Sequence, residues 1–343
     1  MFLGPRFGRN KKLGGVVVLF EELVSYSNMN NIDHMVIDTN LDNYSNKIYG
    51  FCSVVIQFFI SFNKVSYVSL HGTARDFIYL APIIVSISKV FKKSISLRKF
   101  AGNFYQIYLD SNWINKKSIR YVLNNADCLF FETNYLVDKF KCFNANTFWW
   151  PNSRSKANKV VSENFRKKFV FISQVKKSKG IYELVDAASR LDNSFEFDIY
   201  GPTFDEEIKI KIAANSNTKY NGILLPEKVI DTLVNYDILI LPTYHEGEGH
   251  PGIILEAFSL GMPVISTCWS SIPEIVQHNK NGLLVPVKDV DSLRKAVLHF
   301  DRDNYLDFRL NAIESFNQFD SEIVNMKYFE RINFLIDGKD ASI

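Results

Sequence analysis

Residues 237–267 read DILILPTYHEGEGHPGIILEAFSLGMPVIST. Ile238 to Leu241 form an unbroken apolar run of strand length, which predicts a buried strand. A glycine-studded loop follows, carrying Glu246, Glu248, Gly249, His250 and Pro251. Gly252 opens a second apolar run that ends at Gly261, of helical length with a glycine stop. Residues 263–266 predict another buried strand. Strand, loop, helix and strand make one βαβ unit of a parallel sheet, so the fold class is α/β.

Glu256 is the only charge between Gly252 and Gly261. Gly252 lies four residues before it and Ser259 three after, so a small, polar stripe shares its face. Helical side chains lean towards the N-terminus, which aims the carboxylate back over the loop. That N-terminus offers unpaired amides and a positive dipole end, a setting that holds phosphate. A carboxylate beside a phosphate seat suits a nucleotide, whose ribose diol donates two hydrogen bonds.

Working outward, Glu248-Gly249-His250-Pro251 and Glu256-Ala257 form the pattern E-G-x-P-x(4)-E-A. Gly261-Met262-Pro263-Val264-Ile265, Pro273-Glu274-Ile275-Val276 and Asn281-Gly282-Leu283-Leu284-Val285 follow in order. Together these segments resemble the retaining glycosyltransferases of family 4, which have the GT-B fold. The resemblance implies two facing Rossmann-like domains with a cleft between them. It implies transfer of a sugar from a nucleotide-diphosphate donor with retention of configuration. Glu256 would then bind the ribose and Glu248 the transferred sugar, with Lys179 and the amides near Gly249, His250, Pro251 and Gly252 on the diphosphate. No His/Asp cluster at ligand spacing is read, so no metal and no cofactor beyond the donor is expected.

The 343 residues are enough for two α/β domains. Four scattered cysteines without a CxxC spacing point to a reducing compartment and away from disulfides or zinc. No signal peptide is read at residues 1–12, and the longest apolar stretches, 49–62 and 78–90, are shorter than a membrane span. Residues 1–150 hold 17 Lys+Arg and 10 Asp+Glu, a net of +7 that leaves −4 for the rest. A basic first half is read either as a solvated surface or as one that meets phosphates or an anionic membrane.

Strand and helix alternate along the whole chain. In the first half, strands are predicted at 34–38, 65–70, 94–97, 128–131 and 147–150. Helices are predicted there at 16–27, 48–62, 76–91, 114–124 and 134–140. In parallel sheets ligands sit beyond strand C-termini. His71 and Arg98 both follow predicted strands, and the resemblance implies that one of them touches the donor sugar; which one stays open. The resemblance also gives Gly14 and Gly15 a place where backbone approaches the substrates. Trp149 to Arg154 reads as a crossover, separating a domain at 1–150 from one at 151–320, with a final helix at 321–343 returning to the first. In the second half, Gln174 to Gly180 resembles the family's G-R-L-x(3)-K-G segment. Lys179-Gly180 is kept, but Gln174 replaces the arginine that grips the diphosphate. Gly201 ends the strand 196–200, near where relatives seat the base. Ser270-Ser271 stands where a glycine pair precedes I-P-E. Helices at 181–190, 205–215, 226–235, 289–300 and 320–335 complete the expectation.

The Asn-, Lys-, Ile- and Phe-rich composition fits an AT-rich bacterial genome, and with the family it suggests O-antigen or capsule assembly. The expected partners are a nucleotide sugar and a glycan or lipid-linked saccharide acceptor, with no nucleic acid. The expected place is the cytoplasm, with peripheral contact to an anionic inner membrane face through Lys89, Lys92, Lys93, Arg98 and Lys99. Two other readings share the architecture: a nucleotide-sugar epimerase, and a nucleotide-sugar-binding protein without catalysis.

Overall fold

Apolar runs with no polar alternation require sheets covered on both faces, and the computed structural model shows two of them. It describes residues 1–8 and 15–340, with side chains as far as 336. The chain divides into Met1–Asn152 with Ser321–Ile343, and Ser153–Asp320.

In the first unit six parallel strands are ordered β2-β1-β3-β4-β5-β6. They are β1 (Phe2–Gly4), β2 (Val36–Asp38), β3 (Tyr67–Gly72), β4 (Ser94–Lys99), β5 (Cys128–Phe131) and β6 (Thr147–Trp149). Register pairs Leu3 with Ile37 and Leu70, and Leu70 with Leu97. The covering helices are α1 (Gly15–Met29), α2 (Lys47–Ser61), α3 (Ala74–Tyr79), α4 (Ala81–Val90), α5 (Phe104–Asp110), α6 (Trp113–Asn125) and α7 (Asn134–Phe140). The single helix expected over 76–91 is therefore two. Pro82 in the first turn of α4 has no N–H to continue the ladder of α3, so the chain restarts there. Helix α5 was not expected, because it is only seven residues long.

The second unit orders its strands β12-β11-β10-β7-β8-β9, again all parallel. These are β7 (Lys168–Ile172), β8 (Glu196–Tyr200), β9 (Thr218–Tyr220), β10 (Ile238–Leu241), β11 (Val264–Thr267) and β12 (Gly282–Val285). Its helices are α8 (Ile181–Ala188), α9 (Glu206–Ala213), α10 (Val229–Leu233), α11 (Gly252–Ser259), α12 (Val290–His299) and α13 (Tyr305–Phe316). Strand β9 and helix α13 were not expected, and the helix expected over 226–235 shrinks to α10 behind a short turn at Pro226–Lys228.

The last helix, α14 (Ser321–Asp340), belongs to the first unit. Tyr328 stacks on Trp150 with ring centroids 3.8 Å apart and donates a 2.7 Å hydrogen bond to Ser69 Oγ. Tyr328, Ile332 and Val324 share an apolar cluster with Leu23, Tyr67 and Phe130.

Candidate active site

In the second unit the chain runs outward from β7 through β8 to β9, then returns to β10 on the other side of β7. The connections leaving β7 and β10 therefore diverge to opposite faces, and a crevice opens at their carboxyl ends. Residues 173–180 follow β7 and residues 242–251 follow β10, so topology alone brings Lys179 to Glu248. Their side chains form an ion pair, Lys179 Nζ to Glu248 Oε2 at 2.5 Å. Thr243 Oγ1 donates to the same carboxylate oxygen at 2.8 Å.

Two glycines let these loops close. Gly180 has φ +75°, and an added Cβ would collide with the Pro242 carbonyl at the end of β10. Gly201 has φ +138° and lies against the Ser173 carbonyl at the end of β7. The 242–251 loop is also tethered from behind. Trp269 Nε1 donates to His245 O at 2.9 Å, and Ser270 Oγ donates to Glu248 O at 2.8 Å. Ser270 takes a left-handed φ of +50°, so the backbone here has the conformation a glycine would suit, while its hydroxyl adds a tether that glycine lacks.

Helix α11 starts at Gly252 with its N-terminus at this crevice. Glu256, one turn in, accepts a 2.7 Å hydrogen bond from Arg154 Nε. Arg154 also donates from Nη1 to the Ser153 carbonyl at 2.8 Å. Its Nη2 lies over the Gly252 α-carbon, where any Cβ would overlap it. A cation thus sits at the anion-binding end of α11, 102 residues away in sequence from the carboxylate it pairs with. The His250 ring is buried, with Nε2 3.2 Å from Glu274 Oε2 and its edge against Phe319. Burial, followed by Lys179 and Lys176, lowers the pKa of His245, so its imidazole is neutral near pH 7.

Sequence reasoning found Lys179, Glu248, His250, Gly252 and Glu256, and the structure gathers them on the second unit. Gly249 and Pro251 are buried in the same loop, and Gln174 is exposed in the loop after β7, next to Gly201. Arg154, Thr243, His245 and Glu274 were missed as members of this group. Glu274 lies in the quoted Pro273-Glu274-Ile275-Val276 segment, but nothing local indicates its bond to His250.

The first-unit candidates need correction. His71 is not beyond a strand end but inside β3 and fully buried, bonded through Nε2 to Ser69 Oγ at 2.9 Å. The rings of Phe20 and Trp150 lie 5.2 and 5.6 Å from it. Burial and then Arg98 hold its pKa well below the ordinary histidine value. Arg98 is buried too, stacked 3.8 Å from the Trp150 ring and donating to Pro151 O at 3.2 Å. Desolvation brings its pKa down to about 10, and it stays charged. Neither presents its side chain to solvent. Lys99 is likewise buried, its amine donating to Phe100 O, so the basic segment 89–99 is not one surface patch. Gly15 begins α1, and Gly14 lies outside the described residues. Among the described residues no group of three His, Cys, Asp or Glu side chains is placed to hold a metal ion. No helix among them is long and apolar enough to cross a membrane.

The second unit is a Rossmann-like sheet with a paired lysine and carboxylate at its switch point and a second carboxylate one turn into the next helix. Residues 166–303 match the family model of glycosyl transferases group 1. An amylovoran biosynthesis glycosyltransferase, AmsK of Erwinia amylovora, is 30% identical over 142 residues, 38% of this chain and 35% of the relative. The putative colanic acid biosynthesis glycosyltransferase WcaL of Escherichia coli K12 is 27% identical over 144 residues, 39% of this chain and 36% of the relative. The chain thus spans about a third of the length of these curated relatives. Among solved structures, Anabaena HepE in complex with UDP gives a TM-score of 0.74 at 14% identity, covering 97% of this chain and 98% of that one. The lipopolysaccharide outer core galactosyltransferase WaaB gives 0.67 at 17%, covering 98% and 99%. At such identities the likeness shows the fold, which is GT-B.

Proposed function

We propose that the protein is a retaining glycosyltransferase that moves a sugar from a nucleoside-diphosphate donor to a glycan or lipid-linked saccharide acceptor. Its setting would be the assembly of a bacterial surface polysaccharide, as the names of the relatives suggest. The observation that carries the reading is the arrangement at the switch point of the second unit: the Lys179–Glu248 pair beside the α11 N-terminus with its Arg154–Glu256 pair.

In this reading Glu256 accepts from the ribose diol. The first amides of α11, the Lys179 ammonium and the Arg154 guanidinium hold the diphosphate. Oε2 of Glu248 is taken by Lys179 and Thr243, so Oε1 turns to a hydroxyl of the transferred sugar. The bond from the anomeric carbon to the phosphate oxygen breaks as the acceptor oxygen bonds to that carbon. The acceptor proton ends on the departing diphosphate. Negative charge grows on the diphosphate during this step, where fixed cations favour the transition state over the ground state. Two cations and a helix terminus supply that charge, so transfer proceeds without a metal and without a cofactor other than the donor. Arg154 takes the place left by Gln174.

HepE was solved with UDP and with UDP-glucose, which makes uridine diphosphate sugars the first donors to try. The site of action in this reading is the cytoplasm, at the inner face of an anionic membrane. The test is transfer from a donor panel to a lipid-linked saccharide fraction in excess EDTA, with the product anomer read by NMR. Retained anomeric configuration and near-normal rate are expected. Inversion, or a rate lost in EDTA and restored by magnesium or manganese, would count against the reading.

A further inference from the structure

Helix α2 is apolar on two faces. Inward it buries Val54 and Phe58 in the core of the first unit. Outward it exposes Ile48 (80%), Ile56 (57%), Phe59 (60%) and Ile60 (68%); Ile56 lies two turns after Ile48, and Phe59 and Ile60 follow it by three and four residues, so the four share one side of the helix. No acidic residue occurs in its fifteen. The stripe continues past Phe62, whose ring meets exposed Phe91 edge-on at 5.4 Å, beside exposed Val90. The Lys93 ammonium lies 4.9 Å from the same ring. At the other end of α2, Ile48, Phe51 and Tyr79 line a cavity of about 310 Å³ with Lys47 and Arg75. Residues 47–93 hold six Lys and Arg against a single acid, Asp76.

We infer that this face docks on an anionic lipid bilayer, with α2 in the plane of the interface. Its stripe would enter the boundary of the acyl chains, while the exposed Lys47, Lys64, Arg75 and Lys92 meet headgroup phosphates. Fifteen residues of helix rise only about 22 Å, too short to span. The charge argues against a second copy of the chain as occupant, since pairing the face with itself would set cations against cations. The docking surface differs from the basic segment read in the sequence, because Arg98 and Lys99 are buried. The inference extends the reading of a lipid-linked acceptor, and its test uses no donor, so failure of one leaves the other standing.

The experiment is sedimentation of the full chain with phosphatidylglycerol-containing vesicles and with pure phosphatidylcholine vesicles, at low and high salt. Binding to the anionic vesicles alone is expected, weakened by salt. Each headgroup-facing cation contributes up to roughly fivefold. Lys64→Glu/Lys92→Glu should therefore weaken binding at least tenfold, and Ile56→Ser/Ile60→Ser by a similar factor. Both pairs are exposed, and thermal melts check folding; if the apolar pair unfolds, the charge pair still decides. Absence of vesicle binding, equal binding to neutral vesicles, or unchanged binding in the charge variant would overturn the inference. So would concentration-dependent dimerisation abolished by Ile56→Ser/Ile60→Ser.

Discussion

In the proposed reading, Lys179 is the residue on which donor chemistry and local stability meet. Removing its ammonium takes a fixed cation from the departing diphosphate, a loss on the order of 10²–10³-fold in rate, or about 3–4 kcal/mol. It also leaves Glu248, largely buried, without its cation, with only the Thr243 hydroxyl on that oxygen. Lys179→Ala should therefore lose stability as well as activity, by roughly 1–3 kcal/mol. Adding Glu248→Gln should recover part of the stability but none of the rate, which denaturant melts and steady-state kinetics on the same samples would separate. A single variant with normal kcat/KM would remove Lys179 from the chemistry. Arg154 makes a second test. If it joins Glu256 in seating the donor, Arg154→Ala should raise donor Kd roughly 10- to 100-fold, measured by calorimetry. Arg154→Lys should restore only part, since an ammonium lacks the planar fork of a guanidinium. Tighter donor binding by Arg154→Ala would show instead that Arg154 fills the seat and competes with the donor. That Glu248, Glu256 and Lys179 lie at the loops and helix start of the second unit was legible because each falls in a local strand–loop–helix pattern. Arg154 was not, because only the fold carries it across 102 residues to Glu256.

At the scale of elements, two positions couple backbone to side-chain chemistry. Gly252 opens α11 beneath the Arg154 guanidinium. Gly252→Ala should fold, because its helical backbone suits alanine, yet displace Arg154 and weaken donor binding about as much as Arg154→Ala. Retained affinity in a well-folded Gly252→Ala would show that the guanidinium does not need its present place. In β3, His71 is buried and neutral. Its pKa is lowered in the folded state, so below about pH 6.5 the unfolded chain takes up a proton that the native protein does not. Stability should then fall by up to ~1.4 kcal/mol per pH unit from that group as pH drops from about 6.5 toward the folded pKa, and be unaffected by it above. His71→Phe, which keeps a ring between Phe20 and Trp150, should flatten the difference between urea melts at pH 7.5 and 5.5. An unchanged slope would mean that His71 does not titrate on unfolding. The strands around these sites were legible as apolar runs. The break between α3 and α4 was signalled by Pro82, but the apolar residues on both sides outweighed it. Helix α13 buries Tyr305, Phe308, Ala312 and Phe316 at helical spacing, a period masked by the many polar residues between them.

The whole molecule has two parallel sheets whose order could not be read from the alternation of strands and helices. That alternation predicts parallel pairing; it does not say where the chain doubles back. The reversal beside β7 brings together Lys179 and Glu248, 69 residues apart, and no single stretch contains both loops. The central claim is that this crevice seats a nucleoside-diphosphate sugar through Lys179, Arg154, Glu248 and Glu256. It is tested most directly by thermal melts of the full chain with a panel of nucleoside diphosphates, for the native protein, Lys179→Ala and Glu256→Gln. At about 100 times Kd a true ligand adds about 2.7 kcal/mol to native-state stability. At least one diphosphate should then raise the Tm by on the order of 5 °C, with most of that rise lost in both variants. A panel that stabilises nothing, or a rise that survives in Lys179→Ala and Glu256→Gln alike, would contradict the account.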